Sequence, residues 1–190
     1  MKFVVSSMEL LSHLQAISRV ISTKNTLPIL DNFLFSLEDG VLEITASDLE
    51  STLITQVRLE NTEGSGVIAI PARILNDILK EFPDIPLTFE ISTESLSVEI
   101  HSENGKFIIP GQNGAEFPQM SVLKEDQKQL LELDREILLT GINKSLFATA
   151  DDELRPVMNG IFMELSPEDI TFVASDAHKL VRYKRTDASA

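Results

Sequence analysis

The feature that most constrains this chain is an internal match at a fixed offset of 128 residues. Residues 28–48 read PILDNFLFSLEDGVLEITASD and residues 156–176 read PVMNGIFMELSPEDITFVASD, with no gap between the two. Pro28 aligns with Pro156, Leu37 with Leu165, and Ala46-Ser47-Asp48 with Ala174-Ser175-Asp176. The apolar pattern keeps the same register around them: Phe3 with Leu131, Leu10 with Leu138, Leu14 with Ile142, Ile44 with Phe172, Leu53 with Val181. A fixed period marks a structural unit used twice. The period is far longer than a solenoid repeat, so the unit is a domain. Residues 129–190 match 1–62 and nothing matches 63–128, so the sequence predicts one domain and a half.

Within the first unit the signals give a β-α-β-β-β order. Lys2–Ser6 alternates Phe3 and Val5 against polar neighbours, as a strand does. Ser6-Ser7 suits a helix cap, Glu9 suits the first turn, and Leu10, Leu14, Ile17 and Ile21 carry helical spacing to about Ser22. Pro28 forbids further helix, and strands are expected over 29–37, 41–46 and 51–59, with Asp39-Gly40 as a hairpin turn. The order then recurs: a strand at Gly66–Pro71, a helix over 72–82, and strands over 87–91, 96–100 and 106–109, with Asn104-Gly105 as a turn. A loop through Phe117-Pro118 and a charged connection over 124–128 lead to a third half. That half is expected to hold a strand ending at Leu133, a helix capped by Asp134 and running to about Thr149, an acidic loop, and three strands ending at Arg185. Helices on one face of antiparallel sheets make the fold class α+β.

Composition excludes several functions. With 190 residues, 43% of them hydrophobic, the chain can bury a real core. It has no cysteine, which removes disulfides, thiol catalysis and Cys-ligated metal and fits a reducing interior. No long apolar run opens the chain or recurs within it, so a soluble, cytoplasmic protein is expected, with no membrane partner. The net charge of −14 argues against tight nonspecific binding to nucleic acid. The basic residues Arg19, Lys24, Arg73, Lys80, Arg135 and Lys144 recur on or beside the expected helices, which allows a locally positive strip within an acidic shell.

Catalytic signals are sparse. Asp176 and His178, two apart, would share one face of a strand, but no nucleophile or oxyanion motif accompanies them. Asp151-Asp152-Glu153 lacks a second ligand group for a hard cation, and neither G-x-G-x-x-G nor a P-loop occurs. No catalytic residue, metal site or cofactor is expected.

Several motifs, in order and at consistent spacing, carry a family resemblance. They are KFVV at the start, Thr26-Leu27-Pro28-Ile29-Leu30-Asp31-Asn32, Ser47-Asp48-Leu49-Glu50, Ile70-Pro71-Ala72-Arg73, Phe117-Pro118, and Ala174-Ser175-Asp176-Ala177-His178-Lys179-Leu180. Together they resemble the bacterial DNA polymerase III beta subunit, the sliding clamp, along the whole chain. The resemblance implies a DNA-clamp fold, in which three similar domains per subunit form a head-to-tail homodimeric ring with helices facing the pore. Residues 1–125 would be a complete domain one and 126–190 the first half of domain two, with domain three absent. The implied function is a non-enzymatic processivity factor that encircles duplex DNA and tethers the replicative polymerase and clamp-loader subunits through short linear motifs. Enclosure would replace affinity, so weak, water-mediated contacts suffice in an acidic protein.

The resemblance also implies residue roles. Lys24, Arg73 and Arg155 would contact DNA, although Asp152, Pro156 and Val157 depart from the best-known pattern of the Arg155 loop. Met158, Ser175, Ala177, His178, Lys179 and Leu180 would form one wall of the partner-peptide cleft. Ile74, Ile78, Phe82, Lys106, Phe107 and Ile109 would form the ring interface. Two alternatives stay open from the residues: a duplicated α+β enzyme using Asp176 and His178, and a duplicated peptide-binding module without DNA function.

Overall fold

The computed structural model describes residues 1–22, 27–103, 105–119, 131–152 and 154–188. The chain divides into two compact units, Met1–Val122 and Leu123–Ala190.

The first unit holds strand β1 (Lys2–Ser6), helix α1 (Ser7–Ile17), and strands β2 (Asn32–Glu38), β3 (Val41–Ser47) and β4 (Thr52–Arg58). After the short β5 (Thr62–Glu63) the order repeats as β6 (Gly66–Pro71), α2 (Ala72–Lys80), β7 (Pro86–Ser92), β8 (Ser97–Ser102) and β9 (Gly105–Pro110), followed by the short β10 (Gln112–Asn113). Two five-stranded antiparallel sheets result, ordered β5-β1-β7-β8-β9 and β10-β6-β2-β3-β4. The halves therefore exchange first strands: β1 pairs with β7 of the second half, and β6 pairs with β2 of the first. This exchange puts one core under both halves. Phe3 of β1 stacks on Phe89 of β7 at 4.9 Å, and Leu10, Leu14 and Ile17 of α1 share a buried cluster with Leu75 and Leu79 of α2. Each fully buried aromatic or aliphatic side chain contributes roughly 1.5–3 kcal/mol. Asn76 on α2 donates to the Ser18 hydroxyl after α1 at 3.1 Å, tying the two helices together.

The second unit holds α3 (Arg135–Ser145) and one three-stranded sheet of β11 (Phe162–Leu165), β12 (Ile170–Ser175) and β13 (Leu180–Arg185). The 128-residue offset survives in these bounds. Helix α3 begins and ends 128 residues after α1, and the 3-10 turns Ser18–Val20 and Pro28–Asp31 recur as Leu146–Ala148 and Pro156–Asn159. The caps correspond as well: Ser6 accepts the Glu9 N–H at 3.2 Å, and Asp134 accepts the Glu136 N–H at 2.7 Å.

Four expectations are corrected. Residues 131–134 form no strand. Strand β1 is held by β5 and β7, outside its own half, and no described residue of the second unit supplies such partners. The first helix ends at Ile17 rather than near Ser22, because the Ser18 hydroxyl bonds the Leu14 carbonyl at 2.6 Å and the chain tightens into a 3-10 turn. Strand β2 begins at Asn32, because the Asn32 amide donates to the Pro28 and Ile29 carbonyls and holds that stretch as a turn. The second helix likewise stops at Lys80. The expected connection at 124–128 and residue Asn104 lie outside the described residues.

Candidate functional site

The repeated Ala-Ser-Asp has a local physical cause. In each copy it closes a hairpin whose next residue is left-handed, Leu49 at φ 78° and Ala177 at φ 73°. Ser47 and Ser175 accept the N–H of that residue at 3.1 and 3.2 Å. The same hydroxyls donate across the turn to the carbonyls of Ser51 and Lys179. Asp48 Oδ1 accepts the N–H groups of Glu50 and Ser51 at 3.0 and 2.6 Å; Asp176 Oδ1 accepts those of His178 and Lys179 at 2.9 and 2.6 Å. The second turn carries one addition. The Lys179 ammonium lies 3.1 Å from Asp176 Oδ2 and donates to the Phe147 carbonyl at 3.1 Å, fastening the hairpin to the turn after α3. The backbone and ammonium groups of Lys179, with the His178 N–H, hold the Asp176 carboxyl down at about 2.

This geometry removes the acid–base pair. Asp176 takes the backbone N–H of His178, not its ring, and His178 is exposed. Of the six residues expected to form a cleft wall, Ser175, Ala177, His178, Lys179 and Leu180 lie at the turn between β12 and β13, and Met158 lies in the 3-10 turn before β11. Ala150 donates to the Met158 carbonyl at 2.9 Å, Met158 is half-buried, and Leu180 is 72% exposed.

The basic candidates are placed differently from one another. Lys24 lies outside the described residues. Arg73 is exposed on the first turn of α2 and forms no ion pair with a described residue. Arg155 is committed to Asp152, with two guanidinium nitrogens each 2.7 Å from Oδ2, which holds the Asp152 carboxyl below its ordinary value. The acidic loop thus neutralises its own arginine; Glu153 of that loop lies outside the described residues.

On the edge strand β9, Phe107 meets Phe82 edge to face at 5.6 Å, Ile74 is exposed on α2, and Ile78 is partly buried against the core. Lys106 pairs with Glu99 at 3.1 Å. Ile109, expected with this surface, is 1% exposed and belongs to the core; Ile108 faces outward instead. Alternation along the strand decides this, since Ile109 shares its face with Phe107 while Ile108 takes the other.

One constellation escaped the sequence. Glu90, Glu99 and His101 bring their ligand atoms within 4.8 Å of one another on β7 and β8. Lys2 pairs with Glu90 at 2.8 Å and lowers its carboxyl pKa, and Lys106 pairs with Glu99, so both carboxylates already have cations. The two-residue spacing of Glu99 and His101 was its only local trace.

Among the described residues no helix is long and apolar enough to cross a membrane.

A family model described as DNA polymerase III beta subunit, N-terminal domain, matches residues 1–121. The beta sliding clamp of Synechococcus elongatus is 31% identical over 193 residues, spanning 100% of this chain and 50% of the relative. That of Synechocystis is 33% identical over 187 residues, spanning 95% and 47%. Among solved structures, the DNA polymerase III subunit beta of Pseudomonas aeruginosa superposes with a TM-score of 0.86 at 28% identity, covering 98% of this chain and 50% of its own. The Thermotoga maritima beta subunit gives 0.84 at 28% identity, covering 97% and 49%. The chain spans about half the length of these relatives.

Proposed function

The chain belongs to the DNA polymerase III beta-subunit family, and from that membership we propose that it supplies the N-terminal half of a ring-shaped sliding clamp, a processivity factor that encircles duplex DNA. Residues 1–125 make one clamp domain and 126–190 the first half of the next. The observation that carries the reading is the duplicated half-domain, with α3 repeating α1 in length and register and the aspartate of each Ser-Asp turn accepting the same two backbone N–H groups. A ring assembled from near-equivalent domains needs such a repeat; a single-site enzyme does not.

The roles follow from placement. The protein acts as a scaffold rather than a catalyst. Exposed Arg73 gives the DNA-facing side sparse positive charge, while Arg155 contributes less because Asp152 holds it; Lys24, expected to join them, lies outside the described residues. A duplex kept in place by enclosure needs no tight phosphate contact, and loose, screened contacts let it slide. The open backbone of β9, the Phe82–Phe107 pair and Ile74 offer the head-to-tail partner an unpaired sheet edge flanked by apolar side chains. Lys106 and the backbone at Ile109 complete that edge. Met158 with Ser175, Ala177, His178, Lys179 and Leu180 forms one wall of a cleft for short linear motifs of the polymerase and clamp loader, an apolar slot with polar groups along the turn to fix a peptide backbone. The work takes place in the cytoplasm.

The test is primer extension by the replicative polymerase on a singly primed circular template, with and without the full-length protein and its loader. Long products from single binding events are expected only when the full-length protein is present. Short products in both cases would exclude a processivity role.

A further inference from the structure

Strand register in the first unit brings Glu90, Glu99 and His101 together. Glu90 of β7 lies directly opposite Glu99 of β8, and His101 is two residues further along β8, so the three side chains leave the same face of the sheet. Their neighbours Phe89 and Ile100 are buried on the other face, so this one points away from the core. Two carboxylates directly opposite each other repel, and the pairing needs positive charge beside it. Lysines supply part of that charge and leave a place open. Lys2 lies 2.8 Å from Glu90 Oε1, while Glu90 Oε2 is the oxygen nearer the histidine. On Glu99, Lys106 and His101 both approach Oε2, at 3.1 and 3.3 Å. His101 is the group that the lysines leave unexplained. Its ring is partly exposed, yet its Nε2 is shielded from solvent and has no hydrogen-bond partner, although Glu99 Oε2 is 3.3 Å away and Glu90 Oε2 is 3.7 Å away. A shielded nitrogen without a partner is costly as it stands. Two donor atoms bound to one zinc ion at the tetrahedral angle lie about 3.3–3.6 Å apart, and these spacings fall at that range and just beyond it. Glu90 and Glu99 also line a cavity of about 690 Å³ with Met1, Glu63, Ser92 and Ser97, which gives water access to a further position.

We propose that Glu90, Glu99 and His101 form a zinc-binding site on the first unit, with His101 Nε2 and one carboxylate oxygen from each glutamate as ligands and water in the remaining place. One imidazole with two carboxylates suits a borderline ion such as zinc; magnesium prefers octahedral, all-oxygen surroundings. The ion takes the place of the Lys106 ammonium, which is half exposed and free to swing into solvent. Lys2 stays on Glu90 Oε1 and orients that carboxylate, as the outer partners of metal ligands do. The zinc charge then offsets the two facing carboxylates. The site uses none of the residues assigned to DNA contact or to the peptide cleft, so it stands or falls apart from those roles.

The test titrates the full chain with zinc chloride, measures binding by calorimetry and locates it by amide chemical shifts. A saturable site is expected, with shifts concentrated at 89–91, 98–102 and 105–107. His101→Asn is expected to weaken binding at least about tenfold, since loss of even an outer partner of a metal ligand costs about 10–100-fold. Lys106→Met removes the competing ammonium and is expected to strengthen binding about fivefold. Excess magnesium chloride is expected to leave the zinc in place. Equal binding by the wild-type chain and His101→Asn, shifts centred on His13 or His178, no gain from Lys106→Met, or displacement by magnesium would each overturn the proposal. Circular dichroism checks that the variants fold. Where His101→Asn does not fold, Glu99→Gln is read in its place with the same loss expected, and undiminished binding there overturns the proposal equally.

Discussion

Asp176 shows how far geometry commits a single side chain. Its two oxygens serve the backbone N–H groups of His178 and Lys179 and the Lys179 ammonium, and they hold Ala177 in a left-handed conformation. That conformation costs an L-residue about 1–2 kcal/mol, so the turn depends on the charged carboxylate. The folded-state pKa, about 2, lies below the ordinary aspartate value. The stabilisation is therefore complete above the unfolded pKa, about 3.9, and is lost as pH falls through the folded value. Titration of the Asp176 carboxyl carbon by NMR is expected to give an inflection near 2, with the 175–180 amide shifts moving alongside it; an inflection at the ordinary value would show that the turn does not need the charge. Residue-level reading from sequence failed where a residue left its regular element. Asp176 and His178, expected on one face of a strand, lie in a turn. Ile109, expected at the ring interface, has its side chain in the core, because the sequence does not reveal which face of an edge strand meets the core. The Arg155–Asp152 pair lies within one loop, whose closure no periodicity reports.

At the scale of elements, helix starts were legible and helix ends were not. The caps Ser6 and Asp134 stand in the sequence as polar residues before apolar spacing, and both act as caps. Helix ends depended on contacts such as the Ser18 hydroxyl on Leu14, which the apolar pattern runs straight through. The exchange of first strands between halves was invisible because it joins residues more than eighty positions apart, as Phe3 and Phe89 do. Among the described residues the second unit has three strands, and none of them pairs with a first strand from another half. Packing there rests on a close approach: a Cβ on Gly141 of α3 would fall 2.3 Å from the Phe172 ring, which is fully buried on β12. The position 128 residues earlier is His13, bonded to Thr55 on β4, so the two copies solve the same crossing differently. Gly141→Ala is expected to push helix from sheet and destabilise the second unit by roughly 1–3 kcal/mol. The chain has one tyrosine, Tyr183, with its ring 6.4 Å from that of Phe172. Its fluorescence therefore reports thermal unfolding of the second unit alone, and an unchanged midpoint would contradict the packing.

At the scale of the whole molecule, the repeat and the charge belong together. A net charge of −14 is a poor basis for gripping a polyanion, and the basic side chains that do stand near the helices are few, one of them held by Asp152. Under the proposed function enclosure would resolve the conflict, because a closed ring would hold DNA by topology while weak contacts permit movement. The duplicated architecture was legible at this scale because the 128-residue offset needs no knowledge of contacts. The strand exchange within the first unit required the fold. The most direct measurement of enclosure is retention of the loaded full-length protein on a nicked circular DNA, followed at raised salt before and after a single cut that linearises it. The protein is expected to stay on the circle and to leave once the DNA has ends. Equal retention on circle and line, or loss from the intact circle, would contradict enclosure as the basis of its function.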